Sequence, residues 1–288
     1  MKFLSFKVDG RTRYGWLYDD EQLIISPNTE DTDVPQSLFD VVRGAGDALQ
    51  QLTNLQKKRQ VQYFNIADIE YLEPIEPTAI ICVGLNYSDH AEEVGKEKTK
   101  YPTIFFRLAR SHVAHQKTLI VPKASDTLDW EGELAVVIGK GGRHIAADQA
   151  LDHVFGYSIY NEGTVRKFQG HTSQFGLGKN FQASGAFGPV IVTADEFGDP
   201  YSHHLETRIN DEIVQSASID LMLHRIEDVI AYLSTAMPLQ AGDMICTGTP
   251  AGVGLARKPR RFLQGGEVVN VTISGIGTLQ TPVSNELP

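Results

Sequence analysis

Cysteine is scarce: the 288 residues hold only Cys82 and Cys246, with no Cys-x-x-Cys pair. This argues against a disulfide-built scaffold and against a thiolate zinc site. Both cysteines lie in apolar, strand-like runs, so two buried free thiols in a reducing cytoplasm are expected. Long hydrophobic runs are missing as well, and nothing approaches the roughly eighteen apolar residues of a membrane span. The first eight residues alternate and then turn at Asp9-Gly10, without the apolar centre or small-residue cleavage site of a signal peptide. They read as the first strand. Basic residues are outnumbered, 26 Lys and Arg against 36 Asp and Glu, for a formal net charge of −10. Binding nucleic acid needs a basic face, so no such partner is expected. An anionic small molecule stays open, because a metal ion or a few local cations can dominate a pocket. Neither a Walker loop nor a dinucleotide fingerprint is present.

What is there suits an ordinary globular protein, with one large domain and a small accessory unit. Residues 1–75 read as a β-rich unit with helical spacings over 36–58. A hairpin turns at Asp19-Asp20-Glu21, between Tyr14–Tyr18 and Gln22–Ile25. The proline-punctuated segment Leu72-Glu73-Pro74-Ile75-Glu76-Pro77 marks the boundary to a domain over 76–288. Continuous apolar runs at 79–84, 134–138, 189–193 and 244–247 read as buried strands, and 268–283 as a closing hairpin. One amphipathic helix is expected over 223–236, with Ile226, Val229, Ile230 and Leu233 on one face. Strands outnumber helices without alternating with them, which indicates an α+β fold with a β-rich core.

Several constellations can carry chemistry. In a strand, Glu131 and Glu133 of Asp129-Trp130-Glu131-Gly132-Glu133 project to one side. Two adjacent carboxylates at the mouth of a buried strand repel unless a cation or proton joins them, and a hard divalent ion is the natural solution. The alternative is a solvated edge, with the apolar face starting at Leu134. Glu162 ends an alternating strand, in a position from which it can meet this pair or serve as a plain loop residue. In a helix starting near Ser88, His90 and Glu93 are three apart and share a face, so the carboxylate can orient the imidazole as a general base requires. The same pair is also common on surfaces. Glycines around Gly178-Lys179 and in Thr247-Gly248-Thr249-Pro250-Ala251-Gly252-Val253-Gly254 allow backbone to approach a ligand closely, or simply make tight turns.

Taken in order over residues 78–288, these pieces resemble the fumarylacetoacetate hydrolase family. Asn86, Tyr87, Asp89, His90 and Glu93 match its Asn-Tyr-x-Asp-His-x-x-Glu pattern, and Glu131 and Glu133 match its Glu-x-Glu before an apolar strand. Gly156-Tyr157, Asn161-Glu162 and Arg166-Lys167-Phe168-Gln169 follow, then Gly178-Lys179, Gly188-Pro189 and Thr247–Gly254. The resemblance implies a mixed-sheet β-roll core, a homodimer, and a divalent metal, Mg²⁺ first and Mn²⁺ or Ca²⁺ after it, held by Glu131, Glu133 and Glu162. His90, supported by Glu93, would activate water or shuttle protons. Lys179 would meet the substrate carboxylate or enolate. Tyr87, Gln169 and Thr249 would contact substrate. Three positions depart from the family pattern: Glu162 stands where aspartate is usual, Arg107 where lysine is usual, and Lys167 where aspartate is usual. Arg107 can bind a carboxylate bidentately, which suits a longer dicarboxylate.

The resemblance implies a metal-dependent hydrolase that cleaves the C–C bond of a small β-diketo acid such as an acylpyruvate or fumarylpyruvate. The same scaffold supports an isomerase or decarboxylase of meta-cleavage oxo acids, keto–enol isomerisation or oxaloacetate decarboxylation, since fold alone does not choose the reaction. A metal-binding member without turnover is the non-enzymatic alternative.

Overall fold

The alternation at the N-terminus does build a strand, and that strand joins the main sheet of the molecule. The computed structural model describes residues 1–288 apart from 19–21, 30–32, 94, 96–98 and 288. The expected turn at Asp19-Asp20-Glu21 lies outside the described residues. The strands on either side of it pair as expected.

The N-terminal region contains β1 (Lys2–Val8), β2 (Arg11–Tyr18), β3 (Leu23–Pro27), α1 (Leu38–Lys57), β4 (Val61–Asn65) and β5 (Glu70–Tyr71). Next come β6 (Ile80–Gly84), α2 (Ser88–Glu93), β7 (Thr103–Arg107), β8 (His112–Ala114), β9 (Leu119–Val121), β10 (Leu128–Asp129) and β11 (Gly132–Ile138). The middle of the chain holds β12 (Val154–Asn161), β13 (Thr164–Val165), α3 (Arg166–Gln169), α4 (Gly176–Lys179), β14 (Gly185–Thr193) and α5 (Ala194–Phe197). It closes with β15 (His204–Ile209), β16 (Glu212–Ser218), α6 (Ile226–Ala236), β17 (Met244–Cys246), β18 (Val268–Ile273) and β19 (Gly277–Asn285).

Twelve strands form the main sheet in the order β4-β3-β2-β1-β14-β12-β11-β17-β6-β7, with β5 on β1 and β8 on β14. Most neighbours are antiparallel, while β17–β6 and β14–β8 are parallel, so the sheet is mixed. The N-terminal strands enter this sheet where β1 pairs with β14, Phe3 facing Ile191. A five-stranded sheet, β16-β15-β18-β19-β9, packs on one face. Leu134, Val136 and Ile159 of the main sheet meet Val271 and Ile273 there, with Val229, Ile230 and Leu233 of α6 in the same core. On the opposite face α1 packs against β1 and β3, and its Leu38, Val41, Val42 and Leu52 belong to one core cluster with Ala135, Val137, Tyr160 and Phe187. Burial on both faces explains why the central strands read as continuous apolar runs. The architecture is the mixed-sheet, β-rich α+β fold that the resemblance implies. Among the described residues, no helix is long and apolar enough to cross a membrane.

Local details refine the expectations. Helix α1 is interrupted at Ala45 (φ 39°, ψ −120°), between Gly44 and Gly46, so the spacings over 36–58 belong to one element with a break. Helix α6 starts at Ile226, three residues later than expected. Leu223 N donates to the Asn86 carbonyl (2.7 Å) and His224 N to Asn86 Oδ1 (2.7 Å), which holds residues 223–224 out of the helix. The hairpin β15–β16 was not expected at all. Cys82 and Cys246 are both free and buried, directly opposite each other on β6 and β17.

Candidate functional site

Register decides which side chains meet. On adjacent antiparallel strands, residues directly opposite share a face. Gly132 lies opposite Asn161, which puts Glu131 beside Glu162, and Glu133 lies opposite Tyr160. Glu162 N donates to the Glu131 carbonyl (2.8 Å), extending the pairing one residue past the strand ends. The three carboxylates therefore project from the ends of β11 and β12 to the same side. One oxygen from each lies within 4.8 Å of the other two, and all three residues are buried. They line a cavity of about 490 Å³, together with His90, Gln169, Lys179 and Thr249.

Two cations partly offset this charge. Lys179 Nζ donates to Glu131 Oε2 (2.5 Å) and Glu162 Oε2 (2.9 Å). Arg166 Nε donates to Asp129 Oδ2 (2.7 Å), and its Nη2 lies 2.7 Å from Glu131 Oε1. Burial pushes the Glu131 carboxyl up, but Arg166 and Lys179 outweigh it and hold it at about 2. Burial pulls the Lys179 ammonium down, and Glu131 and Glu162 more than restore it. Glu133 has no such cation in contact. Burial, and then the charge of Glu162, push its carboxyl well above the usual range. Its Oε2 accepts from Gly248 N (2.9 Å). Among the described residues, Glu162 Oε1 is buried without a hydrogen-bond partner. An excess of negative charge, an orphaned oxygen and an all-carboxylate donor set fit a hard divalent cation.

The base expected at His90 sits on α2 at the cavity wall. Its Nδ1 is 2.9 Å from Glu93 Oε2, and Glu93 Oε1 accepts from Gly252 N (3.0 Å). A carboxylate can only accept, so Nδ1 carries a hydrogen, and in the neutral ring Nε2 carries the lone pair. Lys179 ends the short helix α4, which packs against α3. A Cβ on Gly178 would fall 2.4 Å from Gln169 N, so only glycine lets the two segments approach this closely. Gln169 Oε1 accepts from Arg166 Nη1 (3.0 Å).

Two expected substrate contacts are not brought to the cavity. Arg107 is 3% exposed, and its guanidinium donates to Ser111 Oγ (3.3 Å), the Gly163 carbonyl (3.1 Å) and Ser184 Oγ (3.0 Å). These donors tie β7 to neighbouring loops, and Arg107, expected to meet a substrate carboxylate, lies outside the cavity lining. Arg166 is the arginine that lines the cavity. Tyr87 is fully buried and does not line it either.

Three residues of the site were not singled out from sequence. Asp129 gathers Arg166 together with Gly254 N (2.7 Å) and Leu255 N (2.9 Å), fixing the loop behind the cavity. Arg166 stands four residues past Glu162 in a motif already noticed, and that spacing was its one signal. Gln215, on the unexpected strand β16, gave none.

Known proteins resemble the chain in sequence and in fold. The profile described as Fumarylacetoacetate (FAA) hydrolase C-terminal matches residues 79–284. The chain is 35% identical over 301 aligned residues to oxaloacetate tautomerase YisK of Bacillus subtilis, covering 98% of this chain and 100% of that protein. It is 36% identical to the mitochondrial oxaloacetate tautomerase fahd2 of Xenopus laevis, covering 94% of this chain and 86% of that one. Among solved structures, a fumarylacetoacetate hydrolase from Exiguobacterium antarcticum superposes with a TM-score of 0.86 at 37% identity, covering 99% of this chain and 100% of that one.

Proposed function

The chain belongs to the fumarylacetoacetate hydrolase family, and on that footing we propose that it catalyses keto–enol interconversion of a 2-oxo dicarboxylate of the oxaloacetate type. The observation that carries the reading is the buried meeting of Glu131, Glu133 and Glu162, with Glu162 Oε1 unpartnered. Similarity over most of the chain to two oxaloacetate tautomerases supports this reaction among those that the site can carry. A divalent ion held by the three glutamates, Mg²⁺ first and Mn²⁺ or Ca²⁺ after it, would act as a Lewis acid toward the 2-oxo group.

The chain's own residues do the rest. Arg166 and Lys179 offset the negative charge of the substrate and orient it in the cavity. His90 Nε2 removes a proton from the carbon next to the oxo group, while Glu93 holds the ring and stabilises the imidazolium. A proton returned to the oxo oxygen completes the shift, so the substrate keeps its composition. The homodimer is part of the same reading, and sedimentation velocity tests it.

C–C bond hydrolysis is the second reading, favoured by similarity to the Exiguobacterium protein. There, His90 Nε2 would take a proton from the water that attacks the distal carbonyl of a β-diketo acid.

One assay separates the two. The metal-stripped chain is mixed with enol-enriched oxaloacetate, with and without Mg²⁺ or Mn²⁺, and enol absorbance is followed while pyruvate is assayed. The expected result is metal-dependent decay of the enol, about 10²-fold or more faster than without metal, and no pyruvate. Pyruvate and CO₂ from oxaloacetate would indicate decarboxylation instead. Two acids released from acetylpyruvate or fumarylpyruvate, with no effect on oxaloacetate, would replace tautomerisation by hydrolysis.

A further inference from the structure

Gly132 lies between two of the candidate metal ligands, and its peptide groups are held by side chains where a strand would otherwise be. On one side of β11 the pairing to β12 is continuous through Gly132 and Asn161. On the other side β17 covers only Ala135, Val136 and Val137, and Thr247 N carries the contact on to the Leu134 carbonyl (3.1 Å). Beyond that point no strand among the described residues faces Gly132. Its N–H donates instead to Gln215 Oε1 (3.0 Å), and its carbonyl accepts from Thr249 Oγ1 (2.9 Å). Gln215 Nε2 closes the ring by donating to Thr249 Oγ1 (2.8 Å) and the Pro250 carbonyl (2.9 Å).

The polarity of this ring is determined. A backbone N–H can only donate, so the Gln215 atom facing Gly132 is the amide oxygen, and the other is the NH₂ group. That group donates to Thr249, whose hydroxyl hydrogen then goes to the Gly132 carbonyl, which can only accept. Gln215 is 2% exposed and comes from β16 of the second sheet, so the ring ties that sheet to the ligand-bearing strand. Space is equally constrained, because a Cβ on Gly132 would fall 2.3 Å from Thr207 Oγ1.

We propose that Gln215 is a positioning residue, which with Thr249 replaces the missing strand and fixes the peptide between Glu131 and Glu133. Their two carboxylates are thereby held at the spacing the cation requires. It also fixes Thr249 as an acceptor toward the cavity. The hydroxyl hydrogen is already committed, so a substrate oxygen that meets Thr249 Oγ1 must bring its own hydrogen, as an enol does. The inference rests on the metal reading given above and names a residue outside the ligand set.

The test uses Mn²⁺ alone as probe, titrated calorimetrically into the metal-stripped full chain and into Gln215→Met and Thr249→Val. Both variants keep the approximate side-chain volume, and circular dichroism checks that each is folded. Partners that orient ligands usually contribute about 10–100-fold in metal affinity, and a loss of that size is expected for Gln215→Met. The double variant should lose little more than the weaker-binding single variant, because both act on one residue, Gly132, and are bonded to each other. At saturating Mn²⁺, kcat of Gln215→Met should stay depressed with KM changed little. If Gln215→Met does not fold, Thr249→Val carries the same test through the Gly132 carbonyl. Affinity within about twofold of the parent in the folded variants overturns the inference and leaves the metal reading standing. A folded parent that binds no Mn²⁺ overturns both.

Discussion

Lys179→Met is expected to turn over about 10²–10³-fold more slowly than the parent, and to bind Mn²⁺ more tightly. The two effects have opposite signs because Lys179 has two relations to the same carboxylates. Its ammonium donates to Glu131 Oε2 and Glu162 Oε2, the groups assigned to the cation, so it competes electrostatically with any ion placed there. Removing one positive charge a few ångströms from the cluster should strengthen cation binding by about tenfold or more at the effective dielectric of protein interiors. Turnover falls because the same ammonium faces the cavity, where negative charge develops on the substrate. Calorimetric Mn²⁺ titration and steady-state rates at saturating metal check the two halves separately. A parallel loss of affinity and rate would make Lys179 a structural brace and remove its assigned role.

Glu162→Gln should show the complementary pattern: Mn²⁺ affinity reduced by about 10²-fold or more, and activity recovered only at high metal concentration. The cluster loses one charge and one carboxylate oxygen that has no other partner. In the metal-free state the sign reverses. The Glu133 carboxyl is held well above its ordinary 4.5 by burial first and by Glu162 next. A carboxyl raised in the folded state binds its proton more tightly there than in the unfolded chain. The contribution of Glu133 to metal-free stability is therefore full at and below the unfolded value and is lost as pH rises above it. With Glu162 neutralised, that fall should be shallower. Urea unfolding of the metal-free parent and variant at several pH values measures it. A steeper fall in the variant would contradict the charge assignment. Glu162→Asp, which restores the residue usual in the family, should keep Mn²⁺ affinity within about tenfold of the parent, because the charge is conserved.

Much of this site was legible in sequence where a period fixes direction. Glu131 and Glu133 are two apart at the head of an apolar run, so they had to share a side in a strand. His90 and Glu93 are three apart in a short helix, and they do touch. The residues around Glu162 did not by themselves place it beside that pair, and the family resemblance had to suggest what the pairing of β11 with β12, a long-range fact, brings about. Arg107 shows the limit from the other direction. It is a charged residue on an edge strand, but it faces inward opposite Ile80, and sequence could not tell which side of β7 was buried. Gln215 was out of reach for a related reason. Strand β16 reads Glu-Ile-Val-Gln-Ser-Ala-Ser, and nothing in that polar string separates the buried glutamine from a solvated one. The late start of α6 likewise depends on Asn86, more than a hundred residues away.

The buried cysteines make the centre of the main sheet its own clock. Cys82 and Cys246 face each other on β6 and β17 with no exposed surface, so a thiol reagent in solution can label them only when these strands part. The labelling rate then counts openings of the sheet directly beneath the cavity, not fraying at its edges. Cys246 is paired with Ala135, two residues along β11 from Glu133. An ion that binds only the closed arrangement should slow this clock by the factor by which it populates that state, giving metal occupancy without a chromophore or a substrate.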